Sequence, residues 1–245
     1  MPLCDPVIIM GMHKSGTTLL AEMVHKGGIP MFSGDFDPSY DAGIKYERQL
    51  CQELNAQMLG FNKRPKTFER IWRAPLQPAP SDTLRRLEEE VGNQPWGFKD
   101  PRTIFTYDSW LKLFPRGSRL YAFRGHEEVL HRFCSGKKHF LKNARRAIQT
   151  WLRYNEKMLE NMNLDEKANR PFVLVRYEEL MASPNLPQRA EKILGIKMAD
   201  ARNPQLHRNK VERDAQNFLV RLFTMDSALR VARVYKKLDA RRLAP

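Results

Sequence analysis

Short apolar runs alternate along the chain with longer segments in which apolar residues recur at helical intervals. The runs cover residues 6–10, 96–98, 119–123 and 171–175. Runs of this length between helical segments are typical of strands that are buried on both faces of a parallel sheet. The pattern therefore predicts an α/β fold with three α/β/α layers around a central, mostly parallel sheet.

Four of the intervening segments have a helical period. In the first, the apolar positions are Leu19, Leu20, Met23 and Val24. The second begins at Ser81, which we expect to be its N-cap, and its apolar face is formed by Leu84, Leu87 and Val91. The third covers residues 144–161. The last covers residues 217–238 and is strongly basic.

The length of 245 residues suits one large α/β domain, so we expect a single domain over residues 1–245. An irregular, proline-rich segment around residues 61–80 interrupts the helical pattern. We expect this segment to form a lid or insert close to a substrate. The basic helix at 217–238 is expected to be the last element of the domain.

The charge balance favours a negatively charged partner. Lys and Arg number 42 against 28 Asp and Glu, which gives a net charge of +14. Nucleic acid, an acidic lipid face, a nucleotide or an acidic substrate would all fit, and so would a basic surface that is merely solvated. The three cysteines have no metal-site or redox spacing. Without a signal peptide pattern or an apolar stretch of ~20 residues, we expect a cytoplasmic protein with no membrane span.

Residues 11–18 have the sequence GMHKSGTT and connect the first apolar run to the first helical segment. A glycine loop in this position directs backbone N–H groups and the positive end of a helix dipole towards a bound phosphate. A Walker A loop, G-x-x-x-x-G-K-[ST], has a lysine directly after its second glycine. This chain has Thr17 there and Lys14 inside the loop. The displaced lysine favours an anion without a metal bridge and argues against a Mg²⁺-dependent ATP kinase, which stays as an alternative.

The loop resembles the 5′-phosphosulfate loop of sulfotransferases that use 3′-phosphoadenosine 5′-phosphosulfate (PAPS). It is most similar to the bacterial carbohydrate and small-molecule branch of that family. Further blocks resemble the same branch in the expected order: YERQLCQELNAQML at 46–59, WGFKDPRTIFTYDSW at 96–110, RLYAFRGHEEVLHRF at 119–133, TWLRYNEKML at 150–159 and FVLVRYEELMASP at 172–184. The resemblance implies a P-loop NTPase-like fold. It also implies sulfuryl transfer from PAPS, without a metal, to a hydroxyl or amine of a carbohydrate or other small molecule.

The resemblance also implies a set of donor-binding residues. Lys14 matches the lysine that contacts the bridging oxygen and the leaving 5′-phosphate, where a cation acts as charge develops. The phosphate cradle is matched by Ser15, Gly16, Thr17 and Thr18. Arg124 matches the arginine that binds the 3′-phosphate, which suits a bidentate and permanently charged side chain. The family has a serine eight residues further on, whereas this chain has Arg132 there and Ser135 one helical turn later.

Candidate residues for the acceptor end of the site come from two other blocks. Glu47, which follows an aromatic residue, matches the family's base for the acceptor hydroxyl, and His13 is the competing base. Lys99 is expected to touch the sulfate or the acceptor. Asp100 and Arg102 are expected to pair with each other or to shape the loop.

The acceptor itself is not determined by these motifs. The basic balance favours an anionic acceptor such as an acidic sugar, and aromatic residues around 32–46 and 61–80 are candidates for its pocket. A third hypothesis is a nucleic-acid binder, motivated by the net charge and the basic helix at 217–238. Nucleic acid is not favoured, because an ordinary amphipathic helix explains that segment and no aromatic residues are interleaved with the basic ones.

Overall fold

The computed structural model describes residues 4–33, 46–61, 71–134, 140–203 and 225–244. Its strands are β1 (Val7–Gly11), β2 (Gly97–Lys99), β3 (Arg119–Phe123) and β4 (Phe172–Arg176). They pair in parallel in the order β2-β1-β3-β4. Each strand begins within one residue of a predicted run. The predicted parallel sheet is therefore confirmed in this part of the chain.

Helices connect the strands and cover the sheet. They are α1 (Thr17–Lys26), α2 (Gln49–Met58), α3 (Ser81–Val91), α4 (Thr103–Leu113), α5 (His126–Cys134), α6 (Phe140–Lys167), α7 (Tyr177–Ala182), α8 (Leu186–Leu194) and α9 (Met225–Arg241). The predicted segment at 144–161 is thus the middle of the longer helix α6. The predicted helix at 217–238 is described from Met225 onwards, and residues 217–224 lie outside the described residues.

Two apolar clusters lie on opposite faces of the sheet, because successive side chains of a strand point to opposite sides. Ile8 and Met10 of β1 belong to a cluster with residues of α2, α3, α4, α6 and α9. Val7 and Ile9 belong to a second cluster with residues of α1 and α8. All four side chains are nearly or fully buried. This alternation produces the three α/β/α layers that the sequence predicts.

The start of α3 differs from the prediction. Ser81 is the first residue of the helix, and the N-cap is Pro80, which has an extended backbone (φ −65°, ψ 128°) and makes no side-chain cap bond. The carbonyl of Pro80 accepts the first helical hydrogen bond, from the N–H of Leu84 at 3.1 Å. An N-cap needs a non-helical backbone. Because proline adopts that conformation readily, the helix begins at Ser81 itself, one residue earlier than a cap at Ser81 would give.

The predicted lid at 61–80 is described only in part. Residues 62–70 lie outside the described residues. Ile71 is buried, and residues 74–80 run without regular secondary structure to the start of α3. The single-domain organisation of residues 1–245 and the lid function stay predictions.

The carboxyl ends of the strands meet at one edge of the sheet. Gly11, Lys99, Phe123 and Arg176 are the last residues of β1 to β4. The glycine loop, the Lys-Asp-Pro-Arg segment, Arg124 and Tyr177 follow directly at this edge. In open α/β sheets, ligands bind outside the carboxyl ends of the strands. Parallel pairing therefore gathers motifs that are far apart in the sequence.

Candidate active site

The loop between β1 and α1 has two residues in the left-handed region. Lys14 has φ 70° and Gly16 has φ 92°. A left-handed conformation costs a residue with a Cβ about 1–2 kcal/mol, so the fold around Lys14 must compensate for this strain. The result is a tight turn that leaves Lys14 exposed and buries the side chains of Ser15 and Thr17. Strain of this kind is found at ligand-binding loops.

Two glycines allow the loop to lie close to its neighbours. A Cβ on Gly11 would lie 2.4 Å from the carbonyl oxygen of Ala122. A Cβ on Gly16 would lie 2.2 Å from Cδ2 of Tyr177. Neither position has room for a side chain, so packing requires both glycines of the predicted motif, and the left-handed backbone of Gly16 is a second reason at that position.

The hydroxyl of Ser15 is a specific indication of an anion site. Its Oγ is buried and has no hydrogen-bond partner among the described residues. A buried polar group without a partner is unfavourable by about 1–3 kcal/mol. The N–H groups in the first turn of α1 likewise have no partner within the helix. A phosphate in the cradle would accept hydrogen bonds from both, so residues 15–18 fit the predicted phosphate role.

Glu47 and Lys99 form a buried ion pair beside this loop. The Lys99 Nζ lies 2.5 Å from Glu47 Oε1, and the two side chains are 2% and 0% exposed. Gln52 Nε2 donates a hydrogen bond to the other carboxylate oxygen at 2.8 Å. Lys99 ends β2 and is paired in register with Ile9 of β1. The two residues predicted separately as base and sulfate contact therefore form one unit.

Asp100 and Arg102 form a second buried ion pair, as the sequence predicted. Arg102 Nη2 donates to Asp100 Oδ2 at 2.6 Å, and Arg102 Nε donates to Asp100 Oδ1 at 3.0 Å. Asn55 Nδ2 also donates to Asp100 Oδ2 at 3.0 Å. Burial by itself raises the pKa of the Asp100 carboxyl, but the Arg102 guanidinium and these hydrogen bonds hold it below its usual value. This pair fixes the conformation of the Lys-Asp-Pro-Arg segment, residues 99–102, which begins with Lys99.

Arg124 lies at the carboxyl end of β3 and is also buried. Its guanidinium stacks on the ring of Tyr177, 4.3 Å from the ring centroid. Arg124 Nη2 lies 3.3 Å from Glu128 Oε2, and Arg124 Nε lies 3.5 Å from Glu178 Oε1. A 3′-phosphate at Arg124 would have to compete with these two carboxylates. The side chain of Arg132 and all of Ser135 lie outside the described residues.

His13 contacts the ring of Tyr154. The two ring centroids are 6.2 Å apart in an edge-on arrangement. Tyr154 in turn lies 4.7 Å from Phe105, ring to ring. No role for Tyr154, Tyr177 or Gln52 was predicted from the sequence. Tyr177 follows the last strand residue in the block FVLVRYEELMASP, and its place at a strand end was the signal that could have identified it.

Of the cavities on the described surface, two differ in their relation to the site. The larger, of about 590 Å³, is lined by Asp5, Arg85 and Arg116, among others. It lies at the amino ends of the strands, away from the loop. The smaller, of about 290 Å³, lies beside Phe105 and α6. The smaller cavity is connected to the site through the contact between Phe105 and Tyr154.

Within the described residues, neither a metal site nor a membrane-spanning helix is found. These residues contain no cluster of three or more His, Cys, Asp or Glu side chains suited to a metal ion. None of their helices combines the length and apolar character needed to cross a bilayer.

Comparison with known proteins agrees with this geometry. The profile described as "Sulfotransferase family" matches residues 6–200, which is most of the chain. The chain belongs to the sulfotransferase family. No curated protein gives a match to the sequence. The family resemblance carried by the loop and the ordered blocks is confirmed.

Two solved sulfotransferase domains have the same fold. The sulfotransferase domain of the Synechococcus PCC 7002 olefin synthase is 18% identical with a TM-score of 0.53, over 95% of this chain and 96% of that one. The sulfotransferase domain from the curacin biosynthetic pathway is 16% identical with a TM-score of 0.51, over 84% and 77%. Sulfotransferase STF1 from Mycobacterium tuberculosis is 16% identical with a TM-score of 0.47, over 96% and 76%.

Proposed function

We propose that this sulfotransferase family member transfers a sulfuryl group from PAPS to a hydroxyl or amine of a small acceptor. The observation that carries the proposal is the loop at 11–18. Its lysine lies inside the turn, and its buried Ser15 hydroxyl has no partner among the described residues. Bound PAPS would supply the sulfuryl group and leave as adenosine 3′,5′-bisphosphate. The carbohydrate or small-molecule class of the acceptor and an EC 2.8.2-type activity are parts of the same proposal.

The loop residues hold the donor end of the site in this proposal. The hydroxyls of Ser15, Thr17 and Thr18 and the N–H groups of Thr17 and Thr18 bind the 5′-phosphate at the helix N-terminus. Lys14 is exposed at the tip of the turn. In this proposal its ammonium group stabilises the negative charge that develops on the leaving oxygen in the transition state. Arg124 binds the 3′-phosphate after Glu128 and Glu178 move aside. Arg132 is proposed as a second cation at that end.

Glu47 accepts the acceptor proton in this proposal, and Lys99 positions its carboxylate. The acceptor oxygen forms a bond to sulfur as the bond between sulfur and the leaving oxygen breaks, and its proton passes to Glu47. Lys99 holds one carboxylate oxygen and Gln52 the other, so the base is fixed before the acceptor enters. His13 is the alternative base, supported only by its place beside Lys14.

The experiment combines donor binding and transfer. Calorimetry measures the binding of adenosine 3′,5′-bisphosphate, and a radiolabelled PAPS assay measures transfer to a panel of hydroxyl and amine acceptors. Lys14→Ala should reduce turnover by about 10²–10³-fold, in line with other preorganised electrostatic groups. Lys26→Ala is the control, because Lys26 is an exposed lysine at the other end of α1 that pairs with Glu22. No binding of the bisphosphate, together with a thermal shift caused by ATP and Mg²⁺, would replace this proposal with the kinase alternative.

A further inference from the structure

The smaller cavity has an apolar wall built from separate parts of the fold. Phe105 of α4, Leu59 just after α2, and Ile71, Trp72 and Leu76 from the segment before α3 all line it. Leu76 is 42% exposed. When a ligand covers a large apolar side chain that was exposed to water, the free energy of binding becomes more favourable in proportion to the area removed from water. The wall therefore suits an apolar group.

The opposite wall is charged and comes from one face of α6. Arg153, Glu156, Lys157 and Glu160 contribute to it. Glu156 is bound by Arg230, and Lys157 lies 3.2 Å from Glu160. Arg153 is exposed and forms no ion pair with any other described residue. Among the described residues of the rim, Arg153 is therefore a cation without an ion-pair partner, which suits an acidic group on a ligand.

Aromatic side chains connect this cavity to the candidate active site. Phe105 forms part of the cavity wall, and its ring packs edge-on against Tyr154. Tyr154 is buried and contacts His13 of the glycine loop. A ligand that lies against Phe105 is thus separated from His13 of the loop by one aromatic ring, that of Tyr154.

We propose that this cavity binds the body of the sulfate acceptor, and that the acceptor is an amphipathic alcohol. Its apolar chain lies against Leu76, Trp72 and Phe105, an acidic group at its far end pairs with Arg153, and its hydroxyl points past Tyr154 to the loop. The acceptor role rests on the proposed sulfotransferase activity. The volume of about 290 Å³ is at the lower end for small-molecule sites, which fits one alkyl chain better than a branched oligosaccharide.

Calorimetry on the full chain tests the cavity without requiring turnover. The probe is ω-hydroxylaurate, compared with its short homologue ω-hydroxybutyrate and with glucose. We expect ω-hydroxylaurate to bind at least about 100-fold more tightly than the short homologue, because each buried methylene adds affinity. Leu76→Asp and Arg153→Gln should each weaken the binding about tenfold. Equal affinity for the two hydroxy acids, or preferential binding of glucose, would overturn the proposal.

Matched controls separate this site from a general change in surface properties. Ile193→Asp changes a side chain that is 46% exposed, on α8 at the other face of the sheet. Arg233→Gln removes an exposed arginine of α9 that does not line the cavity. Both should leave the affinity for ω-hydroxylaurate unchanged, and equal effects of test and control variants would refute the assignment.

Binding of the bisphosphate, measured on the same samples, separates the two proposals. Bisphosphate binding without ω-hydroxylaurate binding refutes the acceptor class and leaves the proposed activity. ω-Hydroxylaurate binding without bisphosphate binding refutes the activity, and with it the acceptor role of the cavity. Transfer of radiolabel to ω-hydroxylaurate, at a KM that rises in Leu76→Asp and not in Ile193→Asp, supports both.

Discussion

The ring of Tyr177 lies directly on Gly16, so that a Cβ at position 16 would come within 2.2 Å of ring atom Cδ2. The guanidinium of Arg124 stacks on the same ring, 4.3 Å from the ring centroid. One aromatic side chain from the end of β4 therefore contacts both the loop after β1 and the arginine after β3. This arrangement fixes the distance between the two proposed phosphate-binding ends of the donor site.

Gly16→Ala should disrupt the loop. The new methyl group meets the Tyr177 ring, and φ of 92° strains any residue that has a Cβ. We expect a loss of about 1–3 kcal/mol in stability from overpacking, measured by chemical denaturation, and a bisphosphate affinity at least tenfold weaker. Gly28→Ala is the control, because Gly28 has φ of 105° and no atom within 4 Å of the added Cβ. If the two variants bind the bisphosphate equally, the contact with Tyr177 has no role in the site.

Tyr177 should act through its ring rather than its hydroxyl. Tyr177→Phe keeps both the packing on Gly16 and the stacking under Arg124, so the bisphosphate Kd should change less than about twofold. Tyr177→Ala removes both contacts and should weaken binding at least tenfold, since a stacked cation–π contact contributes about 1–2 kcal/mol in a desolvated site. Calorimetry of the two variants decides this. A large loss in Tyr177→Phe would mean that the hydroxyl itself binds the ligand.

Glu47→Gln should separate proton transfer from donor binding. An amide keeps the shape of the side chain but does not accept a proton, so kcat should fall by about 10²–10⁴-fold. The bisphosphate Kd should change little. Steady-state kinetics with labelled PAPS and calorimetry provide the two measurements. Glu53→Gln on the exposed face of α2, where Glu53 pairs with Arg86, is the control. Equal kcat in wild type and Glu47→Gln would transfer the role of base to His13.

Asp100→Asn should destabilise the fold in a pH-dependent manner. The substitution leaves the buried Arg102 without its charge partner, which costs about 3–5 kcal/mol at neutral pH. The pKa of Asp100 is lowered in the folded state. The ionised carboxylate therefore stabilises the fold fully above the pKa of the unfolded chain, 3.8, and this stabilisation is lost as the pH falls through the lower pKa of the folded state. Urea denaturation from pH 7 down to pH 3 should therefore show the difference between wild type and Asp100→Asn shrinking only below about pH 4. A difference that shrinks already at pH 6 would contradict the assignment.

The strands were predictable because their signal is local. Each is a short apolar run, and β1 to β4 all begin within one residue of the predicted positions. The prediction of Ser81 as the N-cap of α3 was wrong for an equally local reason. The backbone preference of Pro80 outweighs the capping preference of Ser81, and the helix starts one residue earlier. The glycine loop was equally predictable, because a strand, two glycines and a helix start within a few residues are typical of an anion-binding loop.

The sequence by itself determined the family, the parallel sheet and the identity of the loop residues, since each depends on neighbouring residues and backbone preferences. Tertiary structure alone decided that Glu47 is held by Lys99, that Tyr177 joins Gly16 to Arg124, and that Phe105, Leu76 and Arg153 share one cavity. Glu47 and Lys99 are 52 positions apart in the chain. Contacts between residues so far apart in the chain follow from strand order and helix packing. The sequence around either residue does not indicate which residue it will contact.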